Sequence, residues 1–211
     1  MPTVVTISAS FGAGGSRVGP NLAKRLGVPF VDRAIPASVA ARLSVPLEEA
    51  LAHDERPSGL VERLLASMAR MADPYVTGLP VPAAGEDDAE RFQAQTESVI
   101  QEIATTTGGV LLGRGAVFVL KDRPGVLHAR LDGPADRRAA QAAALEGLDH
   151  EAAVRMQKET DRARYAYIRH FYKADTRDPS LYHVVLDSTR MPLATCVDML
   201  ALAAEALVGN C

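Results

Sequence analysis

The first thirty-two residues constrain the fold most. A β-branched run, Val4-Val5-Thr6-Ile7-Ser8, leads into the glycine-rich stretch Gly12-Ala13-Gly14-Gly15. Behind it Val18, Leu22 and Leu26 fall four apart, on one face of a helix. Gly27 suits the stop of that helix, and Val28-Pro29-Phe30-Val31-Asp32 resumes extended chain. Pro20 has no N–H and prefers a first turn, so the regular helix is expected to begin only near Val18 or Gly19, which would blunt its dipole at the loop.

The same unit recurs along the chain, which predicts an α/β fold around a parallel sheet. Val110-Leu111-Leu112 reads as a buried strand ending at Gly113-Arg114-Gly115, Val126 to Leu131 as a fourth strand, and Val184-Val185-Leu186 as a fifth. Between them fall a helix from Ala89 to Gly108 with Phe92, Thr96, Val99, Ile100 and Ile103 inward, an Ala-rich helix from Pro134 to Glu146, and a last helix from Pro192 through Leu207. Leu60, Leu64 and Met68 are spaced for one more helix, and Asp73 to Asp88, rich in Pro, Gly and Ala, reads as an exposed connection. At 211 residues and 47% apolar content, the chain has material for one core.

A P-loop is G-x-x-x-x-G-K-S/T between a strand and a helix: backbone N–H groups cradle phosphates, the Lys reaches the terminal phosphates and the hydroxyl holds magnesium. Ala9 to Ser16 occupies that slot. Gly14 and Ser16 match, but Ala9 stands at the first Gly and Gly15 at the Lys. A tight strand-to-helix turn with no ligand is the competing account. A dinucleotide loop fits less well, because Arg17 stands where the last Gly of G-x-G-x-x-G belongs.

Several stretches together resemble the cytidylate kinase-like family: Ile7-Ser8 with Phe11-Gly12-Ala13-Gly14-Gly15 and Arg17; Gly27 to Asp32; Val110 to Arg114; Thr160-Asp161 with Arg164 and Tyr167; and Tyr182 to Arg190. The resemblance covers most of the chain. It implies a three-layer P-loop NTPase fold with a parallel five-stranded sheet flanked by helices. It further implies a nucleoside monophosphate-binding insertion over about 34–95 and a helical lid over about 149–180. Cytidylate kinases proper carry the P-loop Lys and an acidic residue around Gly-Arg; here Gly15 replaces the first, and Leu112 and Gly115 flank Gly113-Arg114.

The expected activity is transfer of the γ-phosphate of ATP, with Mg²⁺, to a small acceptor such as CMP or dCMP. Such chemistry rests on positioning and charge neutralisation. Residues 155–177 hold seven Lys and Arg against three acidic residues, a local +4 within a chain of net charge −3. Within that cluster the resemblance points Arg162 and Arg164 at phosphate and Asp161 at orienting one of them. Gly12, Ala13, Gly14, Gly15, Ser16 and Arg137 are the phosphate-binding candidates, with Ser16 on magnesium or merely capping the helix. Arg17 is the candidate to compensate for the missing Lys. Arg114 and Asp32, at strand ends, are the candidates for the acceptor nucleotide; a structural ion pair and a turn cap are their competing accounts. A catalytically impaired nucleotide- or anion-binding regulatory module is the alternative to a kinase.

Other features point elsewhere. Tyr165, Tyr167, Phe171 and Tyr172 interleave with Arg164, Arg169 and Lys173, a pattern that also serves base stacking, although such aromatics more often pack a helix onto its domain. The overall acidity argues against a protein-wide attraction to nucleic acid or anionic membrane. Five scattered histidines and two cysteines, Cys196 and Cys211, offer neither metal-ligand spacing nor a disulfide framework. With no basic-then-apolar start and no long apolar run, a soluble cytoplasmic protein is expected.

Overall fold

A computed structural model of the chain describes residues 2–32 and 86–209. The expected helix at Leu60 to Met68, the stretch 73–85 and residues 34–85 of the expected insertion lie outside the described residues.

Five strands, β1 (Val4–Ala9), β2 (Phe30–Val31), β3 (Gly109–Leu112), β4 (Val126–Asp132) and β5 (Val184–Asp187), form one sheet in the order β2-β3-β1-β4-β5, every pairing parallel. The helices are α1 (Gly15–Leu26), α2 (Glu86–Thr105), α3 (Ala116–Val119), α4 (Ala135–Glu146), α5 (His150–Tyr172) and α6 (Leu193–Gly209), with a 3₁₀ turn over Pro179–Leu181. Parallel strands need covered faces, and their alternation supplies two cores. Val5, Ile7, Val110, Leu127 and Leu131 pack against Val18 and Leu22 of α1 and Leu200 of α6; Val4, Leu111 and Val126 pack against Val99 and Ile100 of α2 and Leu120.

Because the strands are parallel, all their C-terminal ends share one edge. The chain crosses from the β3 side of β1 to the β4 side there, making the end of β1 the switch point where open α/β sheets bind ligands. Two local expectations change. The regular helix α1 starts at Gly15, with Pro20 inside it: the ring's missing N–H leaves one carbonyl, that of Ser16, without its helical donor and does not delay the start. Helix α2 begins at Glu86, three residues before the Ala89 expected.

One buried polar pair ties the sheet's middle together. His128 of β4 is hydrogen-bonded through Nδ1 to Thr6 Oγ1 of β1 at 2.7 Å, and its ring stacks on His183 with centroids 5.3 Å apart. Among the described residues no helix is long and apolar enough to cross a membrane.

Candidate functional site

The loop from Ser10 to Gly14 connects β1 to α1 and turns through two left-handed glycines, Gly12 at φ 77° and Gly14 at φ 76°. Gly14 is the N-cap of α1 and supplies no side-chain cap, so the N–H groups of Gly15 and Ser16 open toward the loop without intrahelical acceptors, while that of Arg17 turns back to Gly14 O at 2.9 Å. Glycine is required at 12 on space as well as on φ: a Cβ there would lie 2.1 Å from the Arg138 carbonyl oxygen.

Four side chains, two from α4, one from α5 and one just after β5, hold the carbonyls from Ala9 to Ala13. Arg164 Nη1 donates to Ala9 O (3.0 Å), Arg138 Nη1 to Phe11 O (2.7 Å), Gln141 Nε2 to Gly12 O (2.9 Å) and Ser188 Oγ to Ala13 O (2.7 Å). In a trans peptide the C=O and the following N–H point in opposite directions. Tying Phe11 O and Ala13 O therefore turns the N–H groups of Gly12 and Gly14 to the side away from Arg138 and Ser188. The N–H groups of Ser10 and Ala13 are spent on Leu131 O and Ser10 O. Gly12, Gly14 and, at the start of α1, Gly15 and Ser16 thus supply the amides of an anion-binding nest.

Two arginines beneath the loop are buried and paired. Arg130 of β4 reaches Asp132 Oδ2 at 2.6 Å and Ser10 Oγ at 3.1 Å. Burial works against both charges of the Arg130–Asp132 pair, but their mutual hydrogen bonds prevail, raising the guanidinium and lowering the carboxyl from their ordinary values. Arg138 of α4 bonds Asp161 Oδ2 of α5 at 2.7 Å, and Asp161 Oδ1 accepts the Phe11 N–H at 2.9 Å.

On the other flank, Asp32 after β2 and Arg114 after β3 meet at 3.5 Å. Gly113, Arg114 and Gly115 are three consecutive left-handed residues, at φ 73°, 61° and 68°, and for Arg114 that conformation costs about 1 kcal/mol or more. Burial lowers the Arg114 pKa, against the pull of Asp32, and the charge of nearby Arg164 lowers it further. Beside this pair, burial pushes the Tyr167 hydroxyl up to about 12, so it is a neutral donor at physiological pH. Arg164 thus bonds the end of β1 and acts electrostatically on Arg114 as well.

The remaining candidates fall elsewhere. Arg137 is exposed on α4, acting electrostatically on Asp187; the residue that reaches the loop is its neighbour Arg138. Arg17 places Nη2 3.4 Å from Leu145 O at the end of α4 and lines a groove with Asn21, Lys24 and Arg25 of α1 and Leu193 and Val197 of α6. Arg162 is exposed and makes no hydrogen bond among the described residues, whereas Arg164 does; Asp161 orients Arg138, not either of them. The Ser16 hydroxyl is exposed and caps nothing. In the basic segment Arg177 is bound to Asp175, and Arg155 lies near Glu151. Tyr172 stacks on Phe118 of α3 at 5.0 Å and so docks α5 onto the domain, whereas Tyr167 and Phe171, 4.8 Å apart, are neighbours on α5 itself.

Arg130, Asp132, Arg138, Gln141 and Ser188 were not anticipated as site residues. For Arg138 a signal existed: with Ala139 and Ala142 it shares the buried stripe of α4, and a cation in an apolar stripe must face a partner. For Arg130 one existed too, since Asp132 lies two residues on and on the same face of β4; for Gln141 and Ser188 the partners are backbone carbonyls distant in sequence, which leave no local pattern.

The sequence pattern of the cytidylate kinase-like family matches residues 4–190. No curated protein matches the chain. Among solved structures, an uncharacterized protein from Eubacterium ventriosum ATCC 27560 superposes with a TM-score of 0.64 at 19% identity, covering 96% of this chain and 98% of that one. A gluconokinase from Sinorhizobium meliloti 1021 gives 0.54 at 18% identity over 99% and 95% of the two chains. A shikimate kinase from Bacteroides thetaiotaomicron gives 0.51 at 14% identity over 96% and 98%. The fold is that of the P-loop kinases.

Proposed function

The chain belongs to the cytidylate kinase-like family, and from that premise we propose that it is a phosphotransferase that moves the γ-phosphoryl group of ATP to a small phosphate-bearing acceptor, CMP or dCMP being the first to test. The observation that carries this reading is the loop whose carbonyls are tied outward by Arg138, Gln141 and Ser188, leaving the amides of Gly12, Gly14, Gly15 and Ser16 for phosphate oxygens. Arg164 and Arg114 flank the path from that nest to Asp32, which suits an acceptor phosphate held between two guanidiniums and an acceptor sugar or base near the carboxylate. The acceptor phosphate is already a nucleophile, so the residues' work is to align it and to exclude water.

Magnesium, which accompanies ATP in such enzymes, neutralises charge on the donor phosphates. The donor set here fits it: the Ser16 hydroxyl is exposed on the first turn of α1 beside the nest, and a metal carried mostly by phosphates and water needs no carboxylate cluster. Ser16 is the residue that would hold it.

One observation favours a second reading, a nucleotide-binding regulatory module. Gly15 leaves the nest without the P-loop cation, and no other cation among the described residues takes that position at the α1 N-terminus: Arg17 turns to Leu145 O instead. A coupled assay with ATP and Mg²⁺ across nucleoside monophosphates, with shikimate and gluconate as non-phosphorylated acceptors, separates the two. Turnover on a monophosphate supports the kinase; nucleotide binding with no turnover on any acceptor leaves the module.

A further inference from the structure

Phe11 is held at both its N–H and its C=O. Its N–H donates to Asp161 Oδ1 at 2.9 Å, its carbonyl accepts from Arg138 Nη1 at 2.7 Å, and that same Nη1 lies 2.7 Å from Asp161 Oδ2. Loop, α4 and α5 therefore close one ring of three contacts. Arg138 is anchored independently, with Nε donating to Gly133 O at 2.9 Å and 3.4 Å from Asp132 Oδ1, and its side chain is buried. Asp161 is supplied by α5, the helix that also carries Arg164 to Ala9 O.

We infer that Asp161 and Arg138 are positioning residues that set the direction of the loop's amides. The bond from Arg138 to Phe11 O fixes the peptide plane between Phe11 and Gly12 and hence where the Gly12 N–H points. Asp161 does two things to that bond. It takes a hydrogen of the same Nη1 and so aligns that nitrogen, and it pins the preceding peptide by taking the Phe11 N–H, so that this plane cannot rotate alone. The seating of α5 is thereby coupled to the geometry of the nest: the loop presents the Gly12 amide to an anion only while Asp161 is in place.

The functional part of this inference rests on reading the loop as a phosphate nest, and the test keeps the two apart. In the full chain, backbone amide resonances of Phe11, Gly12 and Gly14 are recorded without ligand, and inorganic pyrophosphate is then titrated into the parent, Asp161→Asn, Arg138→Lys and Arg155→Ala. Arg155 is an exposed control on the same helix. Asp161→Asn is expected to displace the Gly12 resonance as well as that of Phe11 and to weaken pyrophosphate about tenfold, the size of one charge-assisted hydrogen bond. Arg138→Lys, which keeps the charge but not the planar fork, should do the same more weakly, and Arg155→Ala should do neither. A Gly12 resonance unmoved in Asp161→Asn while Phe11 shifts would overturn the coupling, because the contact would then only pack α5. If Asp161→Asn does not fold, Arg138→Lys is read by the same criterion. If the parent binds no pyrophosphate, the phosphate-nest reading fails, and the Gly12 resonance still decides whether the clamp orients the loop.

Discussion

A Cβ on Gly15 would lie 2.7 Å from the Cβ of Ala9 and 3.1 Å from Cδ1 of Leu112. Positions 9 and 15 are the two at which the loop departs from the P-loop pattern, and the departures are sterically linked: the methyl of Ala9, where the pattern has Gly, fills the space a Lys at 15 would need for its own Cβ. The missing Lys is thus built into the packing at the end of β1.

Restoring the Lys alone should therefore fail. Gly15→Lys is expected to cost about 1–3 kcal/mol from overpacking against Ala9 and Leu112, seen as a lower Tm. Ala9→Gly with Gly15→Lys should recover much of that loss. If the chain is a kinase, the double variant should turn over faster than the parent, by as much as about 10²-fold, the scale of one preorganised donor of charge. A double variant no more stable than Gly15→Lys would refute the steric link.

Gly12 and Gly27 share left-handed backbone but not surroundings. A Cβ on Gly27, at φ 68°, would meet nothing within 4 Å, whereas one on Gly12, at φ 77°, would abut the Arg138 carbonyl. Gly27→Ala should cost about 1 kcal/mol, the backbone term alone. Gly12→Ala should cost about 3 kcal/mol or more, because the loop must also move off α4. Urea unfolding of the two variants checks the difference; equal losses would show that the Arg138 backbone yields.

The Asp32–Arg114 contact predicts a split between the two substrates. Asp32→Asn removes the charge that opposes the burial penalty on Arg114 while keeping the shape of the side chain. The KM for the acceptor should rise about tenfold with that for ATP unchanged, since the contact lies across the sheet edge from the nest. Equal effects on both KM values would place Asp32 outside the acceptor site.

His128 makes stability pH-dependent. Burial first, and the neighbouring His183 second, hold its pKa down at about 4 against the ordinary 6.5. The unfolded chain therefore takes up a proton below pH 6.5 that the folded chain refuses until about pH 4. The stabilisation is present in full above pH 6.5 and is lost as the pH falls through that window, about 3 kcal/mol in all. Denaturant unfolding at pH 7 and pH 4.5 of the parent and His128→Asn measures it. The variant should lose less stability than the parent between the two pH values, and parallel losses would remove His128 as the cause.

Much of the architecture was legible because it follows from local patterns. The apolar runs at Val4, Val110 and Val126 became inner strands, since a parallel sheet buries both faces there and leaves uninterrupted β-branched and aliphatic stretches, and the run at Val184 became an edge strand, with Val185 half exposed. Gly27 closes α1 in left-handed conformation as its position after Leu26 implied. Pro20 sits inside α1 and not at its start, in a helix that Val18 and Leu22 anchor on the core. At the site, Arg137 and Arg138 are adjacent and chemically identical, and only the rotation of α4 against the loop distinguishes the exposed one from the buried one.

The sequence alone determined a strand, a glycine loop and a helix, the parallel sheet behind them, the residues able to carry charge, and the two departures from the phosphate-loop pattern. These are properties of short windows, set by backbone freedom, side-chain period and composition. Tertiary structure decided which charges matter. Asp161 pairs with Arg138 across 23 residues and with Phe11 across 150, and Ser188 reaches Ala13 across 175. Contacts of that range carry no periodicity in the chain. They exist only because packing on the sheet brings α4, α5 and the end of β5 to the same edge, where the direction of each loop amide is then fixed.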